Sequence, residues 1–110
     1  MPPAEIKYSA DMRIDGAPIL RGIEETILSL DAGAGHCKGR AYPADVFQHT
    51  HILVEVSLLA KPHRDAAFLA RLIERLEAAI KRHLAQPCEF SLKVLFAPPI
   101  YITHPFEPER

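Results

Sequence analysis

His51-Ile52-Leu53-Val54-Glu55-Val56-Ser57-Leu58-Leu59-Ala60 is the most β-like run in the chain, and a helix signal follows it at once. β-Branched and aliphatic residues over this length suit a central strand. Lys61-Pro62 breaks the run, and Asp65 is placed to cap a helix from about Ala66 to Leu84. Leu69, Leu72, Ile73, Leu76, Ile80 and Leu84 make an apolar stripe on that helix, while Arg71, Glu74, Glu77 and Lys81 lie on its wet side. Cys88 to Phe96 then alternates, with Phe90, Leu92, Val94 and Phe96 inward and Glu89, Ser91 and Lys93 outward. This half of the chain is therefore a β-α-β unit.

Working back from His51, the first half repeats the pattern without repeating the sequence. His36 to Tyr42 reads as a strand with Lys38, Arg40 and Tyr42 on one face and Cys37, Gly39 and Ala41 on the other. Before it, Ile19, Leu20, Ile23, Ile27 and Leu30 share one helical face; Asp15 or Gly16 begins that helix, and the run from Asp31 to Gly35 stops it. Glu5 to Ser9 alternates as a short strand, with Ile6 and Tyr8 on one side and Glu5, Lys7 and Ser9 on the other. The order is β-α-β-β-α-β, an α/β (α+β) domain with a four-stranded sheet and both helices on one face. The opposite face is left partly apolar unless another subunit meets it. Residues 97–110, rich in proline, form an extended C-terminal arm to a single domain spanning 1–110. Both the ferredoxin-like sandwich and the tautomerase fold have this element order, and periodicity alone does not separate them.

Size and composition narrow the partners. A domain of 110 residues buries about two-thirds of its unfolded surface, so self-association would help stabilise it. The formal charge of -1 draws it neither to nucleic acid nor to an anionic membrane. No apolar run reaches the ~20 residues that span a bilayer. The opening residues lack the basic-then-apolar pattern of a signal peptide, and Cys37 and Cys88 stand alone, so two free thiols in a cytoplasmic setting are expected.

Met1-Pro2 is a candidate for chemistry, although many chains begin this way for no catalytic reason. If Met1 is removed, Pro2 becomes a terminal secondary amine that titrates near pH 8, lower still beside cations. Such an amine can take a proton from the carbon beside a carbonyl and return it elsewhere. With Met1 in place the nitrogen is an amide and has no basicity. Pro3 stiffens the start of the strand and can hinder removal of Met1.

Met1-Pro2, Ser9 closing the first strand, Gly39-Arg40-Ala41-Tyr42, and Gln48-His49 through Val54-Glu55-Val56-Ser57-Leu58 to His63-Arg64 resemble the 5-carboxymethyl-2-hydroxymuconate isomerase family of the tautomerase superfamily. The second helix and Ser91-Leu92-Lys93-Val94 follow in the expected order, so the resemblance covers the chain up to about residue 96. It implies a homotrimer whose sheets form a central barrel and cofactor-free, metal-free isomerisation of unsaturated keto acids from aromatic catabolism. It makes Pro2 the catalytic base and Arg40 and Arg64 the anion-binding residues. Guanidinium groups suit that work because they grip carboxylates bidentately and stay charged. Lys38, on the face of Arg40, and Tyr42 are further substrate-binding candidates. Relatives of the fold also hydrate, dehalogenate or decarboxylate small acids.

Two other readings stand beside this one. His49 and His51 would share a side of an extended strand and, with Glu55, could ligate a metal. Glu55, set in an apolar strand, otherwise calls for an arginine across the sheet. The chain could also be a non-catalytic, ferredoxin-like oligomer that binds a small ligand or a partner protein.

Overall fold

The computed structural model describes residues 2–109; Met1 and Arg110, and with them the fate of the initiator methionine, lie outside the described residues. Four strands, β1 (Pro3–Ser9), β2 (Lys38–Ala44), β3 (His51–Leu58) and β4 (Glu89–Phe96), form one sheet in the order β2-β1-β3-β4. The outer pairs, β1 with β2 and β3 with β4, are parallel, and the central pair β1 with β3 is antiparallel. Each parallel pair is bridged by a helix, α1 (Gly16–Leu30) or α2 (Ala66–Lys81). Both helices join one core with Ala4, Ile6, Ile52, Val54, Val56 and Leu58, which share a face of the sheet. The β-α-β-β-α-β order and the layering read from the sequence are those of the structure.

The helices begin where their caps stand. Asp15 accepts a hydrogen bond from the Ala17 N–H, and Asp65 one from the Phe68 N–H, each satisfying a donor of the first turn. Four differences from the sequence reading have local causes. Helix α2 stops at Lys81 because His83 and Leu84 donate to Ile80 and Lys81, a tightened turn that ends the α pattern. Its buried face holds Phe68, Leu72, Leu76, Ala79 and Ile80, and Ile73 is exposed, so the stripe is rotated toward Ala79. Strand β2 begins two residues later than expected, since Gly35 has φ 78 and the Cys37 N–H donates to the Glu24 carboxylate, away from the ladder. It runs through Pro43, which an edge strand tolerates because one row of its backbone groups has no partner strand.

Ser9 is the fourth. It is fully buried instead of facing outward, and its hydroxyl both donates to the His51 carbonyl and accepts from the His51 N–H, joining the end of β1 to the start of β3.

The face without helices is partly apolar, with Pro3, Tyr42, Leu53 and Leu95, and it is also charged. It carries Pro3, Glu5 and Lys7 of β1, with Lys38, Arg40 and Tyr42 of β2 in register, and Leu53, Glu55 and Ser57 of β3. Its charges pair with one another: Lys7 lies 3.8 Å from Glu5 and 4.0 Å from Glu55, and Arg40 Nε lies 3.4 Å from Glu5. Glu55 thus finds a lysine on its neighbouring strand rather than an arginine. Gly39 lies on the opposite side, where a Cβ would come within 2.6 Å of Leu20 Cδ2, so glycine lets α1 lie close on β2.

Candidate functional site

Pro2 immediately precedes β1. Its carbonyl accepts a hydrogen bond from the Lys38 N–H at 2.9 Å, so the parallel ladder fixes the residue at the sheet end. Pro2 is buried and forms one wall of a cavity of about 40 Å³. Pro3 adjoins it, and the other walls come from three places: Gly33 and Ala34 after α1, Ser57, Leu58, Leu59, Lys61 and Arg64 at the end of β3 and its turn, and Ala97 and Tyr101 of the C-terminal arm. The topology makes this meeting unavoidable, because β1 and β3 are antiparallel and the start of one lies beside the end of the other.

Arg64 reaches this cavity as part of a buried ion pair. Its Nε and Nη2 donate to Asp31 Oδ2 at 2.9 and 2.8 Å, and its Nη1 donates to the Leu59 carbonyl at 2.7 Å. His63 Nε2 lies 2.9 Å from the same carboxylate oxygen. The hydrogen bond from His63, reinforced by the hydrogen bonds and charge of Arg64, holds the Asp31 carboxyl down at about 2 although burial acts the other way. The network ties the end of α1 to the turn after β3.

Lys38 and Arg40 stand apart from Pro2 on the charged face. With Pro3, Glu5, Glu55, Ser57 and Tyr101 they line a groove of about 290 Å³. The groove and the Pro2 cavity share Pro3, Ser57 and Tyr101 as walls. Lys38 Nζ also donates to Thr103 Oγ1 at 2.9 Å, which fastens the arm across the end of β2. Tyr42 is further along β2 in a separate depression with Glu5, Lys7, Pro43 and Ala44. The structure therefore brings Pro2 and Arg64 to one cavity, places Lys38 and Arg40 in the adjoining groove, and keeps Tyr42 out of both.

Three lining residues have no place in the sequence reading of the site. Ser57 enters that reading only within the third-strand stretch of the resemblance, Lys61 only as part of a strand breaker, and nothing in the sequence points to Tyr101. Cys37, one residue before Lys38, is half-buried; burial and then the Glu24 carboxylate push its thiol up to about 11. Both cysteines are free.

The His49 and His51 pair does not adopt the extended arrangement a shared metal needs. His49 precedes β3 with φ 63, and His51 Nδ1 turns to the His49 carbonyl at 2.8 Å. Among the described residues no three His, Cys, Asp or Glu side chains are grouped to hold a metal ion, and no helix is long and apolar enough to cross a membrane.

No sequence-family model matches the chain, and no curated protein matches it in sequence. Solved structures do match it. A crystal structure of 5-carboxymethyl-2-hydroxymuconate delta-isomerase superposes with a TM-score of 0.78 at 19% identity, over 94% of this chain and 87% of that one. FG41 malonate semialdehyde decarboxylase, inhibited by 3-bromopropiolate, gives 0.69 at 12% identity, over 96% and 90%. A fused 4-OT described as a symmetric trimer gives 0.66 at 15% identity, over 86% and 83%. These neighbours are members of the tautomerase superfamily, and the fold of this chain is the tautomerase fold.

Proposed function

We propose that this chain is a cofactor-independent isomerase or tautomerase of the cytoplasm, active as a homotrimer on a small unsaturated keto acid of the 5-carboxymethyl-2-hydroxymuconate kind. The observation that carries the reading is the position of Pro2. It is buried at the wall of a cavity that also holds cationic side chains, at the end of the first strand of a tautomerase fold.

Once Met1 is removed, the neutral Pro2 nitrogen takes a proton from the carbon beside the keto group. The electron pair left behind spreads into a dienolate, and the Pro2 ammonium returns the proton to the far carbon of the conjugated system, so no atom is gained or lost. Lys61 in the cavity, and Lys38 and Arg40 in the groove, favour the neutral amine and attract the carboxylates of the substrate, while Arg64, paired with Asp31, braces the wall. Because the cavity itself has room for only a few water molecules, the substrate must extend past Ser57 and Tyr101 into the groove. Tyr42 stands too far along β2 to share the cavity and is left with a role at the rim. The trimer accords with the charged face, which three sheets would turn inward around a solvated axis.

Intact mass is the first measurement. A chain short of one methionine has the free amine, and ultraviolet assays of keto-enol and double-bond migration on unsaturated keto dicarboxylates should then show turnover. Pro2→Ala should lower kcat roughly tenfold or more, part of the ~10²–10⁴ that a positioned base supplies. Retained Met1, or unchanged turnover in Pro2→Ala, sinks the assignment. Retention of Met1 would leave a non-catalytic ligand-binding oligomer.

A further inference from the structure

Arg64 is the arginine the sequence places near Pro2, yet its charge is already answered. Three of its nitrogens donate to Asp31 and to the Leu59 carbonyl, and its side chain is 3% exposed. Asp31, held ionised, carries the matching negative charge, so the pair presents little net charge to the cavity. Lys61 lines the same cavity, is exposed, and among the described residues its ammonium has neither an ion pair nor a hydrogen bond. It also lines a further depression, distinct from the groove of Lys38 and Arg40, with Leu59, Pro98 and Tyr101, so the residue borders two openings.

Arg64 is built to hold that lysine in place. Its backbone N–H donates to the Lys61 carbonyl at 2.9 Å, and its Nη1 donates to the Leu59 carbonyl at 2.7 Å. The side chain and backbone of one residue thus pin two carbonyls of the turn that carries Lys61. Asp31 and His63 fix the guanidinium from the other side, anchoring it to the end of α1.

We infer that Lys61 receives the carboxylate of a keto acid beside Pro2, and that Arg64 is a positioning residue that acts through the Lys61 turn. The inference rests on the keto-acid reading of the site. An ammonium with no fixed partner can reorient to a carboxylate at small cost, whereas Arg64 would have to leave a buried carboxylate to do the same.

Binding of 2-oxoglutarate, a keto dicarboxylate with no double bond to move, tests this without turnover. Its Kd is read by ¹H–¹⁵N shift titration of the Met1-free protein. Lys61→Met should raise Kd about tenfold, the scale of one charge-assisted hydrogen bond, with Tm unchanged. Lys61→Arg should restore most of the affinity, and Lys81→Met, a surface control, should leave it unaltered. Arg64→Lys should weaken binding too, and combining it with Lys61→Met should add almost nothing further. Equal Kd for Lys61→Met and parent overturns the assignment, as does a parent that does not bind. Fully additive effects of the two substitutions overturn the positioning role of Arg64. If Lys61 controls binding while no unsaturated keto acid is turned over, the carboxylate site stands and the isomerase reading falls.

Discussion

Arg40 and Arg64 are the two arginines that the sequence nominates, and each faces a carboxylate, but in different surroundings. Arg40 lies on the charged face with its side chain 55% exposed and its Nε 3.4 Å from Glu5. Arg64 is buried, with three nitrogens engaged and Asp31 nearly as enclosed. Water competes for the first pair and not for the second. An exposed ion pair contributes between zero and ~1 kcal/mol, while breaking a buried one strands a charge at a cost of about 3–5 kcal/mol. One arginine is thus free to meet a ligand and the other braces the fold. The residue type alone does not say which.

Substitutions can break this contrast. Arg64→Met strands the Asp31 carboxylate and should cost about 3 kcal/mol or more, read as a fall in the denaturation midpoint. Acid should come next. The Asp31 carboxyl lies near 2 when folded against 3.8 ordinarily, so its contribution is fully present above about pH 4 and is lost as pH falls toward 2. Asp31→Asn should flatten that limb of a pH–stability profile; an unchanged acid limb would mean that other carboxylates set it. Ser9→Ala unties the start of β3 and should cost about 1–2 kcal/mol by the same denaturation measurement. Arg40→Ala should be the mildest for stability, within about 0.5 kcal/mol, with its effect confined to substrate affinity. A large loss of stability there would erase the contrast between the two arginines.

The fold was legible because its signals are local. The alternation at Ile52, Val54 and Val56, the caps at Asp15 and Asp65, and the i, i+4 spacing of Ile19, Ile23 and Ile27 each report on neighbours in sequence. Misreadings fell where a distant partner decides. Ser9 looked outward by polarity, and only the His51 backbone across the sheet explains its burial. Ile73 fits the helical stripe, but the sheet takes up Ala79 and Ile80 instead.

The site was half legible. Met1-Pro2 and Arg64 stand out as residues, yet Asp31 lies 33 positions before Arg64 and nothing local couples them. Tyr101 lies in a stretch without helix or strand, so no periodicity marks its arrival at the cavity that Ser57 also lines. That the Lys61 ammonium has no partner among the described residues is visible only once the cavity is assembled.

The Cys37 thiol has a consequence for chemical selectivity. Unsaturated keto acids are electrophiles, and a thiolate is the side chain most apt to add to them. At about 11, only about one Cys37 in ten thousand is deprotonated at neutral pH. The sulfur one residue from the Lys38 amide that binds Pro2 is thereby kept silent, so an electrophile that reaches this end of the sheet meets almost no thiolate there.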